Sequence, residues 1–101
     1  QSISKNNFVK LKKGMIVSNE PGYYLENKFG IRIENLVYID GSKNNLFLKN
    51  LTYAPLEKDL IEETLLSKNE KDYILKYHLE TYSKISPYLK EKERKWLARL
   101  I

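Results

Sequence analysis

Two glutamates stand fourteen positions apart, each where a free negative charge is costly. Glu20 lies in Ser18-Asn19-Glu20-Pro21-Gly22-Tyr23-Tyr24, and Glu34 in Gly30-Ile31-Arg32-Ile33-Glu34-Asn35. A carboxylate among apolar and turn residues calls for a compensating cation. A metal ion is one candidate. Proline disfavours helical geometry in the residue before it, so Glu20 is predicted to be extended and stiff at a strand end. Period-two alternation over Gly30 to Ile39 puts Ile31, Ile33 and Asn35 on one face and Arg32, Glu34 and Leu36 on the other. Arg32 and Glu34 therefore project the same way. One reading makes them a carboxylate ligand and an arginine that orients it or a substrate. The other makes them an ion pair on a solvated strand, with Glu20 a carboxylate at a turn.

Two carboxylates do not complete a metal site. A dinuclear centre holds its ions about 3.5–4 Å apart and needs further carboxylate or imidazole donors. The chain has one histidine, His78, and it falls within the apolar arc of a predicted helix. That position favours a packed, hydrogen-bonded core residue over a ligand. Tyr23 and Tyr24 could line a pocket, but eight tyrosines make aromatic packing the simpler reading. Trp96 reads as a core or interface anchor. No Ser/His/Asp set is apparent and there is no cysteine. The four glycines are isolated at turns, so no phosphate-cradling loop exists.

The elements that must hold these residues divide into strands and then helices. Lys12-Lys13-Gly14 reads as a turn and Met15-Ile16-Val17 as a short buried strand. Pro21-Gly22 breaks it, and Glu26-Asn27-Lys28 is a polar loop. Gly30 to Ile39 is predicted as one longer strand. Asp40 to Asn45 is predicted as a turn. Leu46-Phe47-Leu48 and Leu51-Thr52-Tyr53-Ala54 are further strand candidates before Pro55. Ser67-Lys68-Asn69-Glu70 is a capping box, so a helix starts there. Its apolar residues Tyr73, Ile74, Leu75, Tyr77, Leu79, Tyr82 and Ile85 span an arc of roughly 240°, which asks for neighbours on more than one side. Pro87 ends that helix and suits the first turn of a second, which carries Leu89, Trp96, Leu97 and Leu100. The fold class is α+β.

One hundred and one residues with 42% apolar content suffice for one compact domain with a modest core. No run of about 18 apolar residues offers a membrane span. The net charge is +5, but fifteen Lys stand against three Arg and are scattered. That pattern argues against a phosphate-recognition surface, where Arg is expected, and hence against nucleic acid as a partner. Absence of cysteine fits a cytosolic protein. Gln1-Ser2-Ile3-Ser4 carries neither Met nor a signal segment, so the chain reads as a piece of something longer. Ile3, Phe8, Val9 and Leu11 are its first apolar anchors.

Gly14-Met15-Ile16-Val17-Ser18-Asn19-Glu20-Pro21-Gly22-Tyr23-Tyr24, followed by Phe29-Gly30-Ile31-Arg32-Ile33-Glu34-Asn35, resembles the end of the catalytic domain of the Xaa-Pro aminopeptidases (aminopeptidase P). These belong to the pita-bread metallopeptidases, with prolidase and methionine aminopeptidase. Gln1-Ser2-Ile3-Ser4 resembles the stretch after the family's His-Glu-Gly-Pro motif. Leu51 to Leu56, Leu65-Leu66-Ser67 and Tyr77-His78 resemble the long cytosolic-type members. The resemblance covers nearly the whole chain. It implies residues 1–62 as the tail of a pita-bread domain of short, mainly antiparallel strands, and 63–101 as a C-terminal helical extension of two helices that contributes to a homodimer.

The implied reaction is hydrolysis of the bond between an N-terminal residue and a following proline. The implied cofactor is two divalent ions, typically Mn²⁺, held by two Asp, one His and two Glu. Glu20 matches the first glutamate ligand and Glu34 the second, which bridges both ions. Arg32 matches the arginine beside it, and the location is cytoplasmic. The other three ligands belong upstream of Gln1, so the resemblance implies an inactive piece with exposed apolar surface, prone to self-association. Two other readings are a prolidase-like dipeptidase and a non-catalytic pita-bread relative that binds proteins. Retention of Glu20, Arg32 and Glu34 argues against the latter.

Overall fold

A computed structural model describes residues 8–101. Ile3 and the Gln1-Ser2-Ile3-Ser4 stretch lie outside the described residues. The chain forms two compact units, one up to Thr52 and one over Tyr53–Ile101.

The first unit contains strands β1 (Ile16–Asn19), β2 (Gly22–Leu25), β3 (Phe29–Arg32), β4 (Asn35–Ser42) and β5 (Asn45–Asn50). They form a three-stranded antiparallel sheet in the order β1-β4-β5 and a two-stranded ribbon of β2 and β3. The core is small: Val17, Val37 and Ile39 are buried, with Met15 packed against them. Val17 pairs directly with Val37, and Ile39 follows two residues on, so alternation delivers all three to one face. Burying each is worth about 1.5–3 kcal/mol. The predicted Lys12-Lys13-Gly14 turn forms. It leads into a bulge where Gly14 N–H donates to Ile39 O and Ile39 N–H to Met15 O, both at 2.8 Å.

Two expectations here are corrected. Gly30 to Ile39 is not one strand, because the ladder stops between Arg32 and Asn35. Pro21 lies across from Ile33 and has no N–H to give, so that position keeps a single bond, Ile33 N–H to Pro21 O at 3.1 Å. Nor is Asp40 to Asn45 all turn. β4 runs to Ser42 and β5 begins at Asn45, leaving Lys43-Asn44 as the loop. The Asp40 carboxylate holds this hairpin. It pairs with Lys49 at 2.9 Å and Lys13 at 3.2 Å and accepts Gly41 N–H at 2.8 Å. Its pKa is held well below the usual carboxylate range, first by the bond from Lys49, then by Gly41 and Lys13.

In the second unit, α1 (Lys68–Ile85) starts at the predicted capping box. Glu70 N–H donates to Ser67 Oγ at 3.3 Å, and Ser67 N–H donates to Glu70 Oε2 at 2.8 Å. Pro87 falls in a 3₁₀ turn, Ser86–Tyr88, and α2 (Glu91–Leu100) follows. The broad apolar arc of α1 is covered on one side within this unit. Tyr77, His78 and Thr81 are buried, while Tyr73, Leu75 and Leu79 are more than half exposed. On α2, Leu97 is buried and Trp96 is 56% exposed, so Trp96 is not a core residue of this unit.

Leu51 to Ala54 does not form a strand. Its groups are taken elsewhere: Leu51 N–H donates to Leu36 O, Thr52 Oγ1 accepts Leu36 N–H, and Ala54 O accepts the Tyr77 hydroxyl, each at 2.8 Å. Next along the chain, Leu56 N–H donates to His78 Nε2 at 3.0 Å. This strap onto α1 is why the compact units divide at Thr52.

His78 is therefore a core acceptor, as its place on the helix suggested. Burial pushes its pKa down, and the charge of Lys58 adds to that. The unfolded chain takes up the proton near pH 6.5, before the folded chain does. Stability from neutral His78 is thus complete above that pH and is lost as the pH falls toward the lowered folded value. Urea midpoints measured at pH 7.5 and pH 5 should fall more steeply for the wild-type chain than for His78→Gln. Equal falls would refute this role.

Candidate metal centre

The break in the ribbon places the two glutamates together. One step beyond the pair Asn19–Asn35 comes Glu20–Glu34, and one step before Gly22–Arg32 comes Pro21–Ile33. The alignment is the same on both sides of the break, so Glu20 lies across from Glu34. The bond from Ile33 N–H to Pro21 O makes Pro21–Ile33 a hydrogen-bonded position. Glu20–Glu34 is then a non-hydrogen-bonded one, where opposed Cα atoms are closest, about 4.5 Å. Like charges directly opposed are destabilising unless a cation intervenes.

Arg32 supplies a positive charge between them. Its Nη1 lies 3.0 Å from Glu20 Oε2 and 3.6 Å from Glu34 Oε2. The same-side projection of Arg32 and Glu34 read from alternation is therefore present, and Glu20 joins them. Arg32 Nε donates to the Tyr24 hydroxyl at 2.9 Å. The guanidinium pKa is raised, chiefly by that bond and by Tyr24, then by Glu20 and Glu34. The Tyr24 ring lies across the ribbon over Gly30, its direct partner, and over Gly22. A Cβ on Gly30 would sit 2.5 Å from Tyr24 Cδ1, so only glycine leaves room for this ring.

Ser18 completes the arrangement. Its hydroxyl donates to Glu20 Oε1 at 2.6 Å. Sequence reasoning missed the roles of Ser18 and Tyr24. The available signals were a hydroxyl two residues before Glu20, hence on its side of the strand, and a tyrosine facing a glycine across a ribbon.

Glu20 and Glu34 are hard oxygen donors brought together on extended backbone, which suits Mg²⁺, Mn²⁺ or Ca²⁺. The donor set fits part of a metal centre. Among the described residues no group of three or more His, Cys, Asp or Glu could hold an ion. His78 Nε2 already accepts Leu56 N–H, and Asp40 is engaged by two lysines.

The family described as the C-terminal region of peptidase_M24 matches residues 45–101, and metallopeptidase family M24 matches residues 1–41. The chain belongs to metallopeptidase family M24. It is 45% identical over 107 residues to "Probable Xaa-Pro aminopeptidase P" of Laccaria bicolor, covering 96% of this chain and 16% of the relative. It is 42% identical over 108 residues to "Aminopeptidase P2" of Arabidopsis thaliana, covering 96% and 15%. This M24 chain thus spans about one sixth of the length of the curated relatives it matches. Its structure matches X-prolyl aminopeptidase of Caenorhabditis elegans with a TM-score of 0.78 at 29% identity, over 89% of this chain and 16% of that one. That protein is described as a cytosolic enzyme with a di-nuclear active site. The family resemblance and the α+β fold, antiparallel strands of a pita-bread fold followed by two helices, are borne out. No helix among the described residues is long and apolar enough to cross a membrane.

Proposed function

We propose that this M24 chain forms the C-terminal part of a metallo-aminopeptidase that removes an N-terminal residue preceding proline. Glu20 and Glu34 supply two ligands to a pair of divalent ions, in our reading Mn²⁺. The observation that carries the proposal is the register that sets the two carboxylates opposite each other with Arg32 between them. When bound, such ions supply a nucleophile from water at neutral pH and polarise the scissile carbonyl. The work of this chain is to hold the carboxylates. Extended strands restrict both side chains, Arg32 orients them, and Tyr24 orients Arg32.

Proline at the second position of the substrate is inferred from the relatives, whose names describe Xaa-Pro or X-prolyl cleavage. A cytoplasmic location is supported by the description of the worm enzyme. Homo-oligomerisation through the C-terminal region is supported by exposed Tyr73, Leu75, Leu79 and Trp96. In functional terms residues 1–62 form the tail of the catalytic domain and 63–101 the extension.

The 101-residue chain by itself is expected to leave Xaa-Pro peptides intact and to bind Mn²⁺ only in the millimolar range of sparse oxygen sites. The full-length protein that carries it should hydrolyse the same peptides in a metal-dependent way. Peptide turnover by the chain alone would overturn the division of the centre. Equal cleavage of peptides with and without proline at the second position would overturn the substrate.

A further inference from the structure

We propose that Ser18 is a positioning residue for Glu20, fixing which carboxylate oxygen is presented to a metal ion. The proposal rests on the reading of Glu20 as a ligand. Ser18 pairs with Leu36 in β1, two residues before Glu20, so the two side chains leave the strand on the same side. The hydroxyl donates to Oε1 at 2.6 Å, a charge-assisted O–H···O⁻ length. Oε2 is the oxygen turned toward Arg32, 3.0 Å from Nη1, on the side of Glu34. The two oxygens are thereby divided: one is tethered to the chain's own strand and the other faces the Arg32 guanidinium, which also pairs with Glu34.

A carboxylate without the tether rotates about its last bonds and offers either oxygen. With it, rotation breaks a strong bond. The sequence distance matters as much as the hydroxyl, since a serine one residue earlier or later would point to the other face of the strand. Hydrogen bonds of this kind from a neighbour to a metal ligand typically change metal affinity by about 10- to 100-fold.

The test is Mn²⁺ titration of the full-length protein by calorimetry, alongside thermal unfolding of the metal-free form. Ser18→Ala should weaken Mn²⁺ binding by about 10- to 100-fold and leave the metal-free midpoint near wild type, while Ser18→Thr, which keeps the hydroxyl, should restore affinity. Glu20→Ala separates the proposal from the reading beneath it. If Glu20→Ala loses affinity and Ser18→Ala does not, Glu20 stands as a ligand and the role of Ser18 is refuted. If Glu20→Ala binds Mn²⁺ like the wild type, the ligand reading falls and the proposal with it. A metal-free midpoint lowered in Ser18→Ala, or no rescue by threonine, would show a merely structural serine.

Discussion

Replacing Glu34 with alanine in the full-length protein should lower kcat/KM for an Xaa-Pro peptide by about 10³-fold or more, roughly 4 kcal/mol of transition-state stabilisation. The size follows from the role proposed for it, as a ligand to ions that would supply several kcal/mol of charge stabilisation. Stability should hardly move. The Glu34 side chain is 49% exposed, and its pairing with Arg32 at 3.6 Å is of the exposed kind worth about 0–1 kcal/mol. Its removal also relieves like charge directly across the ribbon, about 0.2–1 kcal/mol in the opposite direction. The two terms nearly cancel. Activity assays and urea unfolding on the same preparation check both halves. Retained activity removes Glu34 from the site, and a large loss of stability makes it a structural residue. Glu20→Ala should lose activity similarly.

The largest effect on folding is expected at Gly41. This residue sits in β4 beside the two-residue loop with φ +113°, a conformation L side chains rarely adopt. A Cβ there would land on the backbone carbonyl oxygen of Asn45, the first residue of β5. Neither strand can yield without breaking the Ser42–Asn45 pairing or drawing Asp40 away from Lys13 and Lys49. Gly41→Ala should therefore cost about 3 kcal/mol, at the top of the range for strained backbone. Lys43→Ala in the adjacent exposed loop should stay within about 0.5 kcal/mol. Urea denaturation of the 101-residue chain measures both, and similar midpoints would refute the assignment of strain to Gly41.

Much of the candidate site could be read from residue order because its physics is local. Pro21 fixes the backbone of the residue before it, and alternation puts Arg32 and Glu34 on one side. The capping box at Ser67 and Glu70 likewise starts α1 through bonds between residues three apart. The helical histidine was legible as a core residue because an apolar arc implies burial.

The errors share one cause. Gly30 to Ile39 has the pattern of a single strand, but its ladder depends on a proline located elsewhere in the chain. Asp40 to Asn45 has turn residues, yet pairing from β4 to β5 carries the strands nearly to the loop. Leu51 to Ala54 has strand residues, but its carbonyl and neighbouring N–H groups are claimed by Tyr77 and His78.

By itself, the sequence pointed to the family, through the resemblance of its two glutamate motifs, to the α+β class, and to Glu20, Glu34 and Arg32 as the candidate site residues, since these readings rest on residues close together in the chain. Only the tertiary structure decided that Glu20 lies across from Glu34, that Tyr24 braces Arg32 over Gly30, and that Ser18 holds one oxygen of Glu20. Opposition across a ribbon depends on register, and register is a property of two strands together, set here by their pairing on both sides of Pro21.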